Sequence, residues 1–185
     1  MTDKHAIDPR SIVRFWHDVG AEKWFAVDPK LDAEIRKRFG AEVEAASAGK
    51  RDRWLESVEG TLALLILLDQ FPRNIYRGAA EAFASDARAR DVARHALSRG
   101  YDLAVPHDMR AFFYLPYMHS EAMADQDLCV ALIAQRLGTD SLNYPFALSH
   151  RREIEQFGRF PGRNQALGRK TTQAEAAFLA ERSRN

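Results

Sequence analysis

Helix punctuation constrains this chain more than any other feature. Asp8-Pro9 and Asp28-Pro29 each set a capping carboxylate before a proline. The side chain accepts from an orphan N–H of the first turn, and the proline gives up no needed donor there. The first signal opens a helix from Arg10 to Val19, with Ile12, Val13, Phe15 and Trp16 on its apolar side and Gly20 as its stop. The second opens a helix through Leu31, Ile35 and Phe39 that continues past Gly40 to Ala48. A third is predicted from Trp54 to Leu68. It is apolar nearly all round after Thr61, the pattern of a central buried helix.

Ser85 is placed to cap a fourth helix, Asp86 to Arg99, stopped by Gly100. Pro106 starts a fifth, which carries Pro116 inside it and is expected to kink or break there. Asp125 to Leu137 gives a sixth, and Pro145 starts a seventh that ends at Phe157-Gly158. Thr172 with Glu175 forms a capping box for the last helix, to Arg182. No segment alternates apolar and polar residues as a half-buried strand would.

The expected fold is therefore all-α: about eight helices packed in pairs, as a bundle or a curved superhelix. At 185 residues the chain suits one substantial core. No low-complexity linker divides it, so a single domain over residues 1–185 is expected, with an ordered core over 10–182. The one long irregular stretch, Gly158 to Lys170, is too rich in Arg, Phe and Pro for a passive spacer. Trp16, Trp24 and Trp54 are expected to anchor helix packing.

Composition excludes several classes. Hydrophobic residues are 46% and charged residues 29%, well outside the disordered range. The formal net charge of +1 gives no long-range field for nucleic acid, so no nucleic-acid partner is expected. The basic set is 21 Arg against 6 Lys, which fits an Arg-rich genome as well as guanidinium recognition of carboxylate or phosphate. Cys129 is the only cysteine, which rules out an internal disulfide and a Cys-based zinc site. Between Leu128 and Val130 it reads as a small buried hydrophobe. Asp3, Lys4, His5, Asp8 and Arg10 stand where a signal peptide would need an apolar stretch. The apolar run Leu62 to Leu68 is far short of the roughly 20 residues that span a bilayer. No membrane partner is expected, and the expected compartment is the cytoplasm.

Three constellations carry candidate chemistry. In the first, Val58, Leu62, Leu65 and Asp69 share a helical face, which puts the Asp69 carboxylate on a core stripe where it needs a partner. Pro72 is expected to end that helix and fold Arg73 back. Arg73 and Asn74 then either lock the turn with Asp69 or project as ligand donors.

The second is Phe157-Gly158-Arg159-Phe160-Pro161-Gly162-Arg163-Asn164, followed by Gly168-Arg169-Lys170. Its Phe160-Pro161-Gly162-Arg163-Asn164 echoes Phe71-Pro72-Arg73-Asn74 with one glycine inserted. Arg159, Arg163 and Asn164 precede the free N–H groups of the last helix, a natural place for an anion. The other reading is a solvated basic loop pinned by its two Phe side chains.

The third is centred on histidine. Phe112, Leu115, His119, Ala122 and Gln126 share a helical face if Pro116 does not turn the phase. Ala147, His150, Ile154 and Phe157 form another, with Glu153 one turn from His150. His119, His150 and Glu153 are candidates for proton transfer. His150-x-x-Glu153 reverses the order that di-iron bundles use, and His119-Ser120-Glu121 does not place two ligands on one helical face. No metal site and no cofactor is expected. His5, His17, His95 and His107 read as surface residues.

The runs Leu67-Leu68-Asp69-Gln70-Phe71-Pro72-Arg73-Asn74, Tyr114-Leu115-Pro116-Tyr117-Met118-His119-Ser120-Glu121 and His150-Arg151-Arg152-Glu153-Ile154 resemble one bacterial family. So does Phe157 to Asn164 with Leu167-Gly168-Arg169. That family is domain of unknown function nine-hundred-and-twenty-four, and the resemblance extends from Ile12 to Leu179. It implies a tetratricopeptide-like, all-helical superhelix, and it implies no particular activity, substrate or cofactor. Strict tetratricopeptide repeats are not visible in this sequence. The family pattern often has His in the place of Gly162 and Ser in that of Thr171, so an acid/base role at the former position is absent here.

Two functions from different classes follow. One is a binding module that takes a small anionic ligand or a peptide carboxylate through Arg73, Arg159 and Arg163, with Asp69, Asn74 and Asn164 alongside. The other is an enzyme on a small anionic metabolite, with His119 or His150 moving a proton. The enzyme requires an imidazole within about 3 Å of a position the arginines also reach.

Overall fold

The computed structural model describes residues 7–182 and Arg184. His5, Asp3 and Lys4 lie outside the described residues. Regular structure among the described residues is wholly helical, with no strand. The α-helices are α1 (Pro9–Val19), α2 (Ala21–Trp24), α3 (Pro29–Ser47), α4 (Val58–Leu65), α5 (Phe71–Ile75) and α6 (Asp86–Ser98). They continue as α7 (Leu115–Met118), α8 (Met123–Arg136), α9 (Asn143–Phe157) and α10 (Gln173–Arg182). None of these helices is long and apolar enough to cross a membrane. The chain groups into two compact units: the described residues to Arg77 with Glu81–Pro116, and Gly78–Ala80 with the described residues from Tyr117 onward.

In the first unit the two Asp-Pro signals act as their chemistry dictates. Asp8 accepts from Arg10 N at 3.0 Å, and Asp28 accepts from Lys30 N at 2.9 Å and Leu31 N at 3.2 Å. The helix foreseen from Trp54 begins later, because Asp52–Glu56 is a 3-10 helix and Ser57 is the cap, its hydroxyl accepting from Gly60 N. Every residue from Gly60 to Pro72 is buried. Around this rod Trp16 meets Phe71 at 5.4 Å and Phe112 at 6.3 Å, and Phe39 meets Phe71 at 5.2 Å. Trp16, Trp24 and Trp54 are all core residues.

Pro72 does not end this helix as the sequence suggests. The backbone widens into a π turn over Ile66–Gln70 and resumes as α5. Pro72 has no N–H for the carbonyl of Leu68, and the ring crowds that carbonyl, so a wider turn is the local solution. Ser85 Oγ supplies the missing donor, reaching Leu68 O at 2.6 Å. Ser85 stands at the cap position of α6 but makes no side-chain cap bond there. His95, foreseen as a surface residue, is half-buried with Nε2 3.0 Å from Leu55 O, whereas His17 and His107 are exposed.

The second unit is built on α8 and α9. Arg151 of α9 reaches Asp127 of α8 at 2.7 Å, and Cys129, Leu132, Ile133, Ala147 and Ile154 fill the space between the helices. The Cys129 thiol is fully buried, and that burial pushes its pKa up to about 12, so it behaves as a small hydrophobe. The capping box of α10 is complete: Thr172 N donates to Glu175 Oε2 at 2.7 Å and Glu175 N donates to Thr172 Oγ1 at 3.2 Å. Phe157 and Phe178 pack at 5.1 Å and join α9 to α10.

Candidate functional site

Within the first unit, the motif Asp69 to Asn74 forms a network of ion pairs. Asp69 is buried, and Arg73 Nη1 lies 3.3 Å from its carboxylate and 3.0 Å from that of Asp86. The same guanidinium donates to Asp69 O at 2.6 Å and lies 5.7 Å from the Phe83 ring. Gln70 Nε2 donates to the Asp69 carboxylate. Burial opposes the Arg73 charge, but Asp69 and Asp86 together outweigh it and hold the guanidinium above its ordinary range. Asn74 Nδ2 donates to Asp32 at 2.8 Å, and Arg77 grips the same carboxylate with two bonds of 3.0 Å. Arg73 thus sits between two carboxylates, a turn-locking arrangement.

Within the second unit, the basic loop divides its arginines between different tasks. Arg159 takes Glu175 in a fork of 2.6 and 2.9 Å and also reaches Lys170 O at 2.9 Å. Hydrogen bonds from Arg159 and from the Thr172 backbone pull the Glu175 carboxyl down to about 2. Asn164 Nδ2 lies 3.3 Å from both Glu175 Oε2 and Thr171 Oγ1, so Asn164 braces the same joint. Arg169 forks onto Glu121 with two bonds of 2.8 Å, and Phe160 N donates to Glu121 at 2.9 Å. Burial would raise the Glu121 carboxyl, but these donors outweigh it and hold it low. Arg163 stacks 4.6 Å over the Phe160 ring and donates to His119 O at 2.8 Å.

His119 and His150 come together here, their ring centroids 6.4 Å apart. Both are half-buried. His150 also meets the Phe160 ring edge-on at 5.4 Å. Its Nδ1 lies 2.9 Å from Phe146 O, and because a carbonyl only accepts, the proton of the neutral ring sits on Nδ1. Nε2 then carries the lone pair and has no hydrogen-bond partner among the described residues. Burial, followed by the neighbouring His119, lowers the His150 pKa to about 4, so the ring is neutral at pH 7. A tetrahedral zinc shared by two imidazoles needs centroids about 5 Å apart, from Zn–N bonds of about 2.0 Å, so the pair as placed does not make such a site.

Glu153 lies beneath Arg182, 3.1 Å from its guanidinium. Burial raises its carboxyl, opposed by the charges of Arg182 and Arg163. Beside this pair Ser149, Arg152, Phe178, Glu181 and Arg182 line an open depression of about 600 Å3 between α9 and α10.

The structure therefore brings His119, His150, Glu153 and Arg163 into one cluster and adds Glu121, Arg169 and Arg182. Arg159 and Asn164 stand at the adjoining Glu175 joint. Asp69, Arg73 and Asn74 belong to the other unit. Two sequence assumptions are corrected. The face that linked Leu115, His119, Ala122 and Gln126 presupposes one helix, but α7 ends at Met118 and α8 begins at Met123. Ala122 is exposed, and the buried Gln126 amide instead donates to Met118 O at 2.8 Å and Ser120 O at 2.6 Å, fastening the His119 segment. Helical spacing then says nothing about His119 and Glu121, which lie on non-helical backbone in the same cluster.

A solved structure from Agrobacterium tumefaciens, described as a protein of unknown function, ATU0120, is similar at 45% identity with a TM-score of 0.89, over 94% of this chain and 97% of that one. No curated protein matches the chain. The family described as "Bacterial protein of unknown function (DUF924)" matches residues 12–183, and the chain belongs to that family.

Proposed function

We propose that this chain is a cytoplasmic binding protein for a small anionic metabolite of the carboxylate class, taken at the His119–His150–Arg163 cluster. One observation carries the reading. Three guanidinium groups, Arg163, Arg169 and Arg182, are gathered around Glu121 and Glu153 in one small cluster beside His119 and His150. Guanidinium groups are weakly hydrated and match carboxylate geometry, so a gathering of them favours an anion of that class. Arg73 and Arg159, each locked to internal carboxylates, serve the fold in this reading.

The test is a thermal-shift series with short carboxylates, dicarboxylates and inorganic phosphate on wild type and Arg163→Ala. A ligand at about 100 times its dissociation constant should stabilise the wild type by roughly 2.7 kcal/mol, and the variant should lose that shift. The proposal fails if no anion moves the wild type, or if Arg163→Ala responds equally.

A second reading, an enzyme on such a metabolite, has one observation in its favour: Nε2 of the neutral His150 ring carries the lone pair. Glu153 would be its second ionisable group. It ranks below binding because a base whose pKa is near 4 is far from the value that serves proton transfer at pH 7. Turnover of any anion that binds would promote it.

A further inference from the structure

Arg10, Val13, Arg14 and His17 recur along α1 at helical spacing, so they share one face of that helix. This face borders a groove of about 270 Å3 within the first unit, and Val58 and Leu62 of α4 line it as well. Its apolar part is built on the buried side chains of Leu62, Val105 and Met109. Arg10 and Arg14, one turn apart, are both exposed beside it. Neither guanidinium has a hydrogen-bond or ion-pair partner among the described residues, unlike Arg73, Arg159 and Arg169. Glu59, the carboxylate that also lines the groove, pairs with neither of them, and His17 lies 3.4 Å from Asp108.

An exposed ion pair is worth at most about fivefold in affinity, so the two guanidinium groups alone would hold no ligand. Apolar surface supplies the rest: each methylene withdrawn from water adds about fourfold. A short acid would leave Leu62 and Met109 uncovered. A dicarboxylate would set its second charge against them, which costs desolvation. An aliphatic amine would bring a cation to two guanidinium groups. We infer that this groove is a second site, which takes a free aliphatic monocarboxylate of medium chain length. The tail lies along Leu62, Val105 and Met109, and the carboxylate meets Arg10 and Arg14. The inference stands apart from the His119–His150–Arg163 cluster, which belongs to the other unit.

The experiment is isothermal titration with propionate, hexanoate, octanoate and octylammonium. Octanoate is expected to bind about 4- to 16-fold more tightly than hexanoate, the worth of one to two methylenes leaving water. It is also expected to bind more tightly than octylammonium, a preference that the double variant Arg10→Gln/Arg14→Gln should lose. Ala104→Trp, a change at an exposed residue on the groove, should fill the space and abolish the chain-length dependence. Carbon-13 spectra of the methionine methyls locate the ligand: octanoate should shift Met109 in the wild type, and propionate should not. Equal affinity for hexanoate and octanoate, an equal response to octylammonium, or an unmoved Met109 methyl each overturns the inference. So does chain-length dependence that survives Ala104→Trp. Arg163→Ala is expected to bind octanoate as the wild type does; loss of binding there would move the acid to the His119 cluster and overturn the groove assignment. Failure at the groove leaves the anion reading at that cluster untouched.

Discussion

Ser85 Oγ donates to the carbonyl of Leu68 at 2.6 Å, four residues before the proline that denies that carbonyl its helical partner. A proline inside a buried helix removes one hydrogen bond and crowds the preceding turn. Here the chain answers with a π turn over Ile66–Gln70 and borrows a hydroxyl seventeen residues away. Both groups are buried, so neither has water to fall back on. Ser85→Ala is expected to cost about 1 to 3 kcal/mol, the penalty for a buried acceptor left unsatisfied. Urea unfolding of the variant measures it. A loss below about 0.5 kcal/mol would mean that the Leu68 carbonyl finds another donor.

What could be read from the sequence was local. Asp8, Asp28 and the Thr172/Glu175 pair cap their helices because the partner N–H groups lie two or three residues away, and spacing alone fixes that geometry. The burial of Asp69 followed from its place on the Val58–Leu62–Leu65 stripe. What could not be read depends on pairs brought together by tertiary folding. Asp86 as the second carboxylate of Arg73 is thirteen residues on, and Arg169 as the partner of Glu121 is forty-eight residues on. The cap role expected of Ser85 failed for the same reason, since its hydroxyl serves a distant carbonyl. His119 and Glu121 were separated by a helical argument that does not apply to backbone between α7 and α8.

The Arg159–Glu175 joint gives a pH signature. Glu175 has a folded-state pKa of about 2 against an ordinary 4.5, held down first by the Arg159 hydrogen bond and then by the Thr172 N–H. A folded value below the unfolded one means that the ionised carboxylate favours folding. Its contribution is complete above about pH 4.5 and is lost as the pH falls toward 2. Glu175→Gln removes the charge and keeps the shape. The difference in Tm between wild type and this variant is expected to be widest at pH 6 and to close between pH 4.5 and 2. A difference that does not change with pH would show that the joint is held by packing instead.

His150 gives a signature of its own, in a different pH window. Its pKa falls from 6.5 to about 4, chiefly through burial and next through His119. The folded state therefore refuses a proton that the unfolded state accepts below pH 6.5. Linkage then makes the stabilising contribution of the neutral ring complete above pH 6.5 and progressively lost as the pH falls to 4. His150→Phe has no such proton to refuse. Between pH 6.5 and 4 the wild type should lose stability relative to this variant, and below pH 4 the difference should stop changing. A titration of the His150 ring protons by NMR supplies the direct value. A midpoint near 4 ties the loss to this ring, whereas a midpoint near 6.5 would mean a solvated imidazole that any ligand must compete with water to reach.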